Sequence, residues 1–441
     1  MTICLPKGVE MIINKLEENN FEAYAVGGCV RDSILGRNPD DWDITTSAKP
    51  EQIKAVFDKT IDTGIKHGTV KVMIDGEGFE VTTYRLDGKY SDGRHPDKVT
   101  FTPDLLEDLK RRDFTINAMA YNPNIGFVDK FNGIEDLKNK IIRCVGNPLE
   151  RFDEDALRIL RAVRFAAQLG FSIEEKTICA IKELAGNLNK ISVERIQTEL
   201  VKLLVSNQPY RIRDLYEYGI TKIILPEFDE MMVTEQNTKH HMYSVGEHTI
   251  KVMENVRPDK VMRITALLHD IAKPDKKITD KNGVDHFYGH PEAGQIKTKA
   301  ILRRLKFDND TISRVSRLIK WHDYRPNTDE KSLRRALNKV GADIFCDLLE
   351  IKRADILAQS DYQREKKLSV IDDYEMLYQQ ILKNDECFSL KDLAINGRDL
   401  IDAGIAQGTK IGETLNKLLE IVIDDPSKNN KEVLLEIIRK K

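Results

Sequence analysis

An apolar run ends on two glycines, and two aspartates follow a short distance on. The run FEAYAV closes on Gly27-Gly28, a short helical pattern VRDSIL follows, and Asp41 and Asp43 open the stretch DWDITTS. Residues 41–47 read as a short strand. Side chains in a strand alternate faces, so residues i and i+2 point the same way and the two carboxylates converge. Like charges that close are costly unless a cation neutralises them. Hard carboxylate oxygens suit Mg²⁺, which binds through one or two carboxylates plus substrate phosphates. The glycines let backbone approach a phosphate, and the N-terminus of the helix offers free N–H groups. A lone Asp-x-Asp or a lone Gly-Gly is ordinarily a turn. The ordered set of strand, Gly-Gly, helix and carboxylate-bearing strand is far rarer by chance, and it points to phosphoryl or nucleotidyl transfer.

At 441 residues the chain has room for two to four domains. Hydrophobic residues at 41% and charged residues at 32% describe a globular chain that stays in water. No apolar run approaches the ~18 residues that suggest a membrane span, so no membrane association is expected. The N-terminal MTICLPKGVEMIINKLEENN has no signal-peptide pattern and reads as an amphipathic helix. The six cysteines are scattered without a Cys-x-x-Cys pair, which fits reduced thiols in a cytoplasmic protein. A net charge of −3 neither advertises nor excludes nucleic-acid binding, so any RNA contact must come from local basic patches.

Four regions follow from the patterning: 1–145, 146–235, 236–365 and 366–441. The first mixes strands with helices; TVKVMID and FEVTTYR, around Gly76-Glu77-Gly78, read as a hairpin. The second is helical, with EDALRILRAVRFAAQLG, EEKTICAIKELAGNL and ERIQTELVKLL all at a 3.6-residue period. A polar segment at 230–242 marks a boundary. The third is helical and histidine-rich, and the fourth is a helical tail.

Further motifs follow the carboxylates. RLDGKYSDGRHPDKVTF has the composition of a flexible loop, RRDFTINAMA leads into an apolar strand, and EDALRILRAVRF sets Glu154 and Asp155 four and three residues before Arg158 on one expected helical face. Together these motifs resemble the class II tRNA nucleotidyltransferase family, the bacterial CCA-adding enzymes and poly(A) polymerases, over about residues 18–230. The resemblance implies that Asp41 and Asp43 are catalytic and hold Mg²⁺. It implies that Gly27, Gly28 and Arg31 meet the triphosphate and that Arg112, Asp113 and Asn117 contact the sugar. It also implies that Asp155, Arg158, Arg161 and Arg164 belong to a base-reading helix, with ERIQTEL bracing it. An aspartate beside an arginine offers an acceptor and donors that can mimic a Watson–Crick edge. Glu80 stands either as a third carboxylate or as an exposed strand residue; His67 reads as structural and His95 as a loop residue.

The third region carries His248, His269-Asp270, His290, His322 and Asp355. Imidazoles and carboxylates in a helical bundle are good ligands for divalent transition metals. Their order resembles the HD-domain metal-dependent phosphohydrolases over about residues 240–360. That implies a metal site at His248, His269, Asp270 and Asp355, extended by His290 and His322, for Mn²⁺, Co²⁺ or Ni²⁺. Asp323 adjoins this set, while His240, His241 and His286 read as ordinary hydrogen-bonded histidines.

The expected fold is α+β and multidomain: a nucleotidyltransferase head of mixed β-sheet and helices, then all-α neck, HD and tail regions. The expected function is template-independent addition of C, C and A to tRNA 3′-ends from CTP and ATP, with the HD region either an active phosphohydrolase or a vestigial module retained as scaffold. Rival readings are an A-adding enzyme, a poly(A) polymerase, an HD phosphohydrolase that uses the head to bind RNA, and a non-catalytic RNA scaffold. The intact RHP loop argues against a CC-only enzyme, and intact Asp41 and Asp43 against the last two. The sequence leaves the oligomeric state open.

Overall fold

A computed structural model describes residues 2–88 and 99–439, and the side chains of Lys66 and Asp87 lie outside that description. The chain forms two compact units, Met1–Pro226 and Glu227–Lys441. The break falls just ahead of the polar segment expected to mark it.

In the first unit, helix α1 (Lys7–Glu18) buries Val9, Ile12, Ile13 and Leu16 along one stripe, as its amphipathic pattern requires. Strand β1 (Ala23–Val26) is buried throughout. It leads through Gly27 into α2 (Gly28–Ile34), and β2 (Asp43–Thr46) follows. The expected strand at 41–47 is therefore shorter: Asp43 is its first residue and Asp41 lies just before it. After α3 (Pro50–Val56), strands β3 (Thr60–Gly64), β4 (Thr69–Ile74) and β5 (Glu77–Thr83) build one side of the sheet. The hairpin is present, but its turn is Asp75-Gly76, with φ of 49° and 90°. Two positive φ values in a two-residue loop match the strand twist, and Gly78 then lies within β5.

Strands β6 (Arg85–Asp87) and β7 (Val99–Phe101) pair antiparallel as a ribbon. Most of the expected loop, with His95, lies outside the described residues. Helix α4 (Leu105–Lys110), strands β8 (Met119–Asn122) and β9 (Gly126–Asp129) and helix α5 (Gly133–Asn139) complete the head. The seven-stranded sheet runs β3-β4-β5-β2-β1-β8-β9. The β2–β5 pair is parallel and its neighbours are antiparallel, so the sheet is mixed as expected.

The helices α6 (Pro148–Glu154), α7 (Leu157–Leu169), α8 (Glu175–Leu184) and α9 (Val193–Leu204) follow, and two short helices, Ile212–Glu217 and Thr221–Ile224, end the unit. One expectation fails here. Residues 154–165 are not one continuous helix: Asp155 is extended, at φ −142° and ψ 100°, and breaks α6 from α7. Its carboxylate accepts a hydrogen bond from the amide of Leu157, a local bond of the kind aspartate offers at helix starts.

The second unit is helical apart from a two-residue ribbon pairing 278–279 with 285–286. Helices Val245–Glu254, Lys260–Leu268, His290–Arg304, Asn309–Trp321 and Phe345–Ala358 surround the histidines. Aspartate side chains at 259, 308 and 329 cap the helices that follow them. The tail has its own apolar core around Leu400, Leu418, Val422 and Leu434. Among the described residues, no helix is long and apolar enough to cross a membrane.

Candidate active site and metal centre

Asp43 and Glu80 are register partners across the parallel β2–β5 pair, so both side chains rise from one face of the sheet. The Asp43 carboxyl is pushed above its ordinary range. Burial is the largest cause, and Glu80 and Asp41 add to it against the pull of Arg112. Three carboxylates thus share one field, and the Arg112 guanidinium opposes them. An excess of negative charge held in place is what a divalent cation relieves.

Gly27 is required in the turn that precedes α2. Its φ of 84° is one that L-residues avoid, and a β-carbon there would stand 2.9 Å from Nη1 of Arg112. Behind the turn lies a continuous polar chain. Arg31 Nη1 donates to Asn117 Oδ1 at 2.7 Å, and Asn117 Nδ2 donates to Asp113 Oδ1 at 3.1 Å. Arg161 Nε donates to Asp113 Oδ2 at 2.8 Å. Burial works against ionised Asp113, but Arg161 and Asn117 outweigh it and hold the carboxyl well below its ordinary range. The guanidiniums of Arg31, Arg161 and Arg164 all lie over the Phe165 ring, Arg164 at 3.8 Å from its centroid. Burial lowers Arg164 to about 10, against the opposing effect of Glu199.

Asp155 and Arg158 sit beside the break before α7, each secured by other residues. Arg195 donates to both oxygens of Asp155, at 3.3 and 2.7 Å. Arg158 pairs with Glu154 at 2.7 Å and donates to the carbonyls of Arg151 and Arg111. The expected i,i+4 pair is thus formed across the break. Arg195 and Glu199 both come from ERIQTEL, and Glu199 forms an ion pair with Arg164, Oε2 to Nε at 2.8 Å. The bracing role expected of that segment has specific contacts behind it.

Sequence reasoning missed Asp108. It is fully buried, accepts from Arg111 at 3.0 and 2.8 Å and from Thr45 of β2 at 3.2 Å, and lies 3.6 Å from Arg112. Its spacing to the two arginines, three and four residues along EDLKRRD, was a usable signal.

In the second unit, His248, His269, Asp270, His290 and His322 converge, with Asp355 beside His248. Helix ends explain the arrangement. His269 and His322 each follow the last residue of a helix, and His290 opens one. Carbonyls at a helix C-terminus lack helical partners. Nδ1 of His269 donates to Ala266 O at 2.8 Å and Nδ1 of His322 to Ile319 O at 2.7 Å. His290 Nδ1 donates to Phe287 O at 2.8 Å, and His248 Nδ1 contacts Ala358 O at 3.4 Å. Every Nδ1 of these four rings is committed to a backbone carbonyl, which leaves every Nε2 open to a proton or a cation.

Asp270 divides the set. Its Oδ2 lies 3.1 Å from His269 Nε2 and 3.8 Å from His248 Nε2; its Oδ1 lies 3.4 Å from His290 Nε2 and 3.7 Å from His322 Nε2. Asp355 Oδ1 is 2.9 Å from His248 Nε2. Nε2 of His248 and of His269 are buried and make no hydrogen bond. Burial opposes the charged form of Asp270, but His269 and Lys273 hold the carboxyl far below its ordinary value. Burial lowers His290 despite Asp270, whereas Asp270 raises His269 against its burial. The donor set suits divalent transition metals, which His248, His269, Asp270, His290 and His322 would hold. Lys273, 2.7 Å from Asp270 Oδ2 and absent from the expected set, is three residues along the same segment.

Comparison with known proteins matches the Poly A polymerase head domain family at residues 23–143. The family described as the probable RNA and SrmB-binding site of polymerase A matches 170–232, and the putative tRNA nucleotidyltransferase domain 2 matches 292–438. The chain is 38% identical to a CCA-adding enzyme of Pediococcus pentosaceus, over 97% of this chain and 96% of that protein. It is likewise 38% identical to one of Lactobacillus helveticus, over 96% and 94%. Among solved structures it is similar to the Bacillus stearothermophilus CCA-adding enzyme in complex with CTP, at a TM-score of 0.71, 29% identity and 99% coverage of both chains. Similarity of this extent, together with an intact carboxylate pair in the head, establishes that the chain belongs to the CCA-adding enzyme family.

Proposed function

We propose that this chain adds C, C and A to tRNA 3′-ends, using CTP and ATP and no template. The observation that carries the reading is the full-length match to CCA-adding relatives. The field that Asp41 and Glu80 exert on Asp43 supports catalysis in the head.

Asp41 and Asp43 would hold Mg²⁺, which when bound lowers the pKa of the RNA 3′-hydroxyl and neutralises the departing pyrophosphate. Arg31, in the helix that Gly27-Gly28 opens, supplies fixed positive charge for the triphosphate, and Arg112, close to Gly27, belongs with Asp113 and Asn117 at the sugar. Asp113 and Asn117 belong to the polar chain anchored on Arg31 and Arg161, so their rotamers are set before a sugar arrives. Asp155 and Arg158 present the acceptor and donors that read the incoming base. With Arg195 gripping one and Glu154 the other, both are held before the nucleotide binds. Six free cysteines support a reducing, cytoplasmic setting.

The four Nδ1 contacts and the orphaned Nε2 atoms favour a second activity at the histidine cluster. There His248, His269, Asp270, His290, His322 and Asp355 would hold Mn²⁺, Co²⁺ or Ni²⁺, and the site would hydrolyse phosphate esters. In such a reaction a water oxygen bonds to phosphorus, the P–O ester bond breaks, and the alcohol leaves with a proton.

The test of the first activity is primer extension on tRNA lacking CCA, tRNA ending in CC and an unstructured RNA, with each nucleotide separately. C, C and A on the first substrate and A alone on the second support CCA addition. Growth of A tracts on the unstructured RNA would favour a poly(A) polymerase, and A alone on the second substrate with nothing on the first an A-adding enzyme.

A further inference from the structure

Asp108 is a carboxylate buried where packing does not call for one. Helix α4 docks on the sheet through Leu105 and Leu109, which pack with Tyr24, Val26, Tyr84 and Ala120. A buried charge costs free energy unless it is paired and hydrogen-bonded, and a well-fitted apolar side chain would serve packing as well. Asp108 meets its cost with two arginines and a hydroxyl. Its Oδ1 accepts from Nε and Nη2 of Arg111. Its Oδ2 lies 3.6 Å from Nη2 of Arg112 and 3.2 Å from the Thr45 hydroxyl. Burial opposes the ionised form, but the two arginines hold the carboxyl below its ordinary range.

Each partner leads to a different part of the site. Thr45 stands two residues after Asp43 in β2, so both side chains rise from the same face of the sheet. Arg112 reaches the Gly27 turn, where a β-carbon would stand 2.9 Å from its Nη1, and its Nε is buried without a hydrogen-bond partner. The Arg111 carbonyl accepts from Nη2 of Arg158 at 2.9 Å, and Arg158 is the donor assigned to the base. One carboxylate is therefore joined to the strand of the metal aspartates, to an arginine at the sugar and, through one backbone carbonyl, to an arginine at the base.

We propose that Asp108 is a positioning residue for nucleotide addition, holding Arg112 and Arg158 at fixed places relative to the Asp43 strand so that sugar and base are read together. The inference rests on nucleotide addition in the head, and it adds a residue that touches neither nucleotide nor metal. A long arginine side chain anchored before the nucleotide arrives has less rotamer freedom to lose on binding. Asparagine at this position would keep the shape but turn an amide donor toward guanidiniums that are themselves donors. Both arginines would then lose their anchor at once. Sugar choice and base choice should therefore fail together.

The test uses the full chain with Mg²⁺ and tRNA lacking CCA. Extension gives kcat/KM for CTP, dCTP and UTP, and equilibrium dialysis gives CTP and dCTP binding apart from turnover. In Asp108→Asn the preferences for CTP over dCTP and for CTP over UTP should each fall roughly tenfold, and the binding preference for CTP over dCTP should fall with them. Arg111→Lys keeps the charge but loses the double donation to Asp108, so it should shift both preferences the same way by a smaller factor. Leu109→Ala loosens the same helix through its apolar contacts, so its unfolding midpoint should drop while both preferences hold. Thermal unfolding shows which variants are folded, and if Asp108→Asn does not fold, Arg111→Lys decides the matter. Unchanged preferences in the folded variant, or a shift in only one of them, would overturn the proposal. An equal shift in Leu109→Ala would overturn it as well. A wild type that adds no C to this tRNA would instead remove nucleotide addition itself, and the positioning role with it.

Discussion

The Nε2 atoms of His290 and His322 lie 3.2 Å apart, each on a ring whose Nδ1 donates to a backbone carbonyl. Two lone pairs at that distance repel unless a proton or a cation lies between them. A divalent cation held there would engage both lone pairs at once. Replacing both histidines by alanine should lower the bound Mn²⁺ or Co²⁺ by one ion per chain relative to wild type, with nucleotide addition retained. Elemental analysis after dialysis, alongside primer extension, measures both. Equal metal content in wild type and variant would remove these two histidines from the site.

Arg195 is a positioning residue for nucleotide choice. It grips both oxygens of Asp155 from a neighbouring helix, so Arg195→Ala should free that carboxylate to rotate. Losing a partner of this kind costs about 1–3 kcal/mol, or roughly tenfold to a hundredfold in discrimination. Relative incorporation of CTP, ATP, UTP and GTP should shift in Arg195→Ala in the same direction as in Asp155→Ala. Arg195→Lys should recover part of the loss. An Arg195→Ala variant slower with all four nucleotides, at unchanged ratios, would leave Arg195 a structural brace only.

Gly27→Ala should damage the head directly. The residue adopts φ 84° and ψ −130°, and the new β-carbon would press on Arg112. Strain in such backbone regions is about 1–3 kcal/mol. Thermal unfolding should shift downward and CTP incorporation should fall. Wild-type stability and activity in this variant would mean that the turn relaxes freely.

Thiol chemistry tests the burial pattern. Cys4, Cys179 and Cys346 are exposed, whereas Cys29, Cys144 and Cys387 are buried. Burial pushes the Cys29 and Cys387 thiols up to about 11 and Cys144 up to about 12, so their reactive thiolates are scarce at pH 8. Alkylation of the native protein at pH 8 should modify the three exposed thiols quickly and the other three only after unfolding. Peptide mapping that finds Cys29 or Cys144 among the fast sites would contradict the packing around β1 and α6.

Motifs in which chemistry follows local spacing were readable in advance. The Gly-Gly turn, the paired aspartates and the histidine–aspartate order each depend on residues close in the chain or on a strict order of residue types. The break at Asp155 was not readable, because Leu157 and Arg158 after it continue a helical period and the extended backbone is held partly by tertiary contacts with Arg195. Glu80 was undecidable for the same reason: its role depends on β5 lying parallel to β2, a pairing no local pattern encodes. The committed Nδ1 atoms also follow from three-dimensional helix ends, although the histidines themselves stood out by type and order.

The central claim is that one carboxylate site in the head serves both nucleotides. The direct measurement is stepwise extension of tRNA lacking CCA by wild type and by Asp43→Asn, with Mg²⁺ and with CTP and ATP together. The fold of the variant is checked by thermal unfolding. Wild type should complete C, C and A, and Asp43→Asn should lose C addition and A addition alike, each by roughly a hundredfold or more. A folded Asp43→Asn protein that still adds either nucleotide at near wild-type rate would contradict the account.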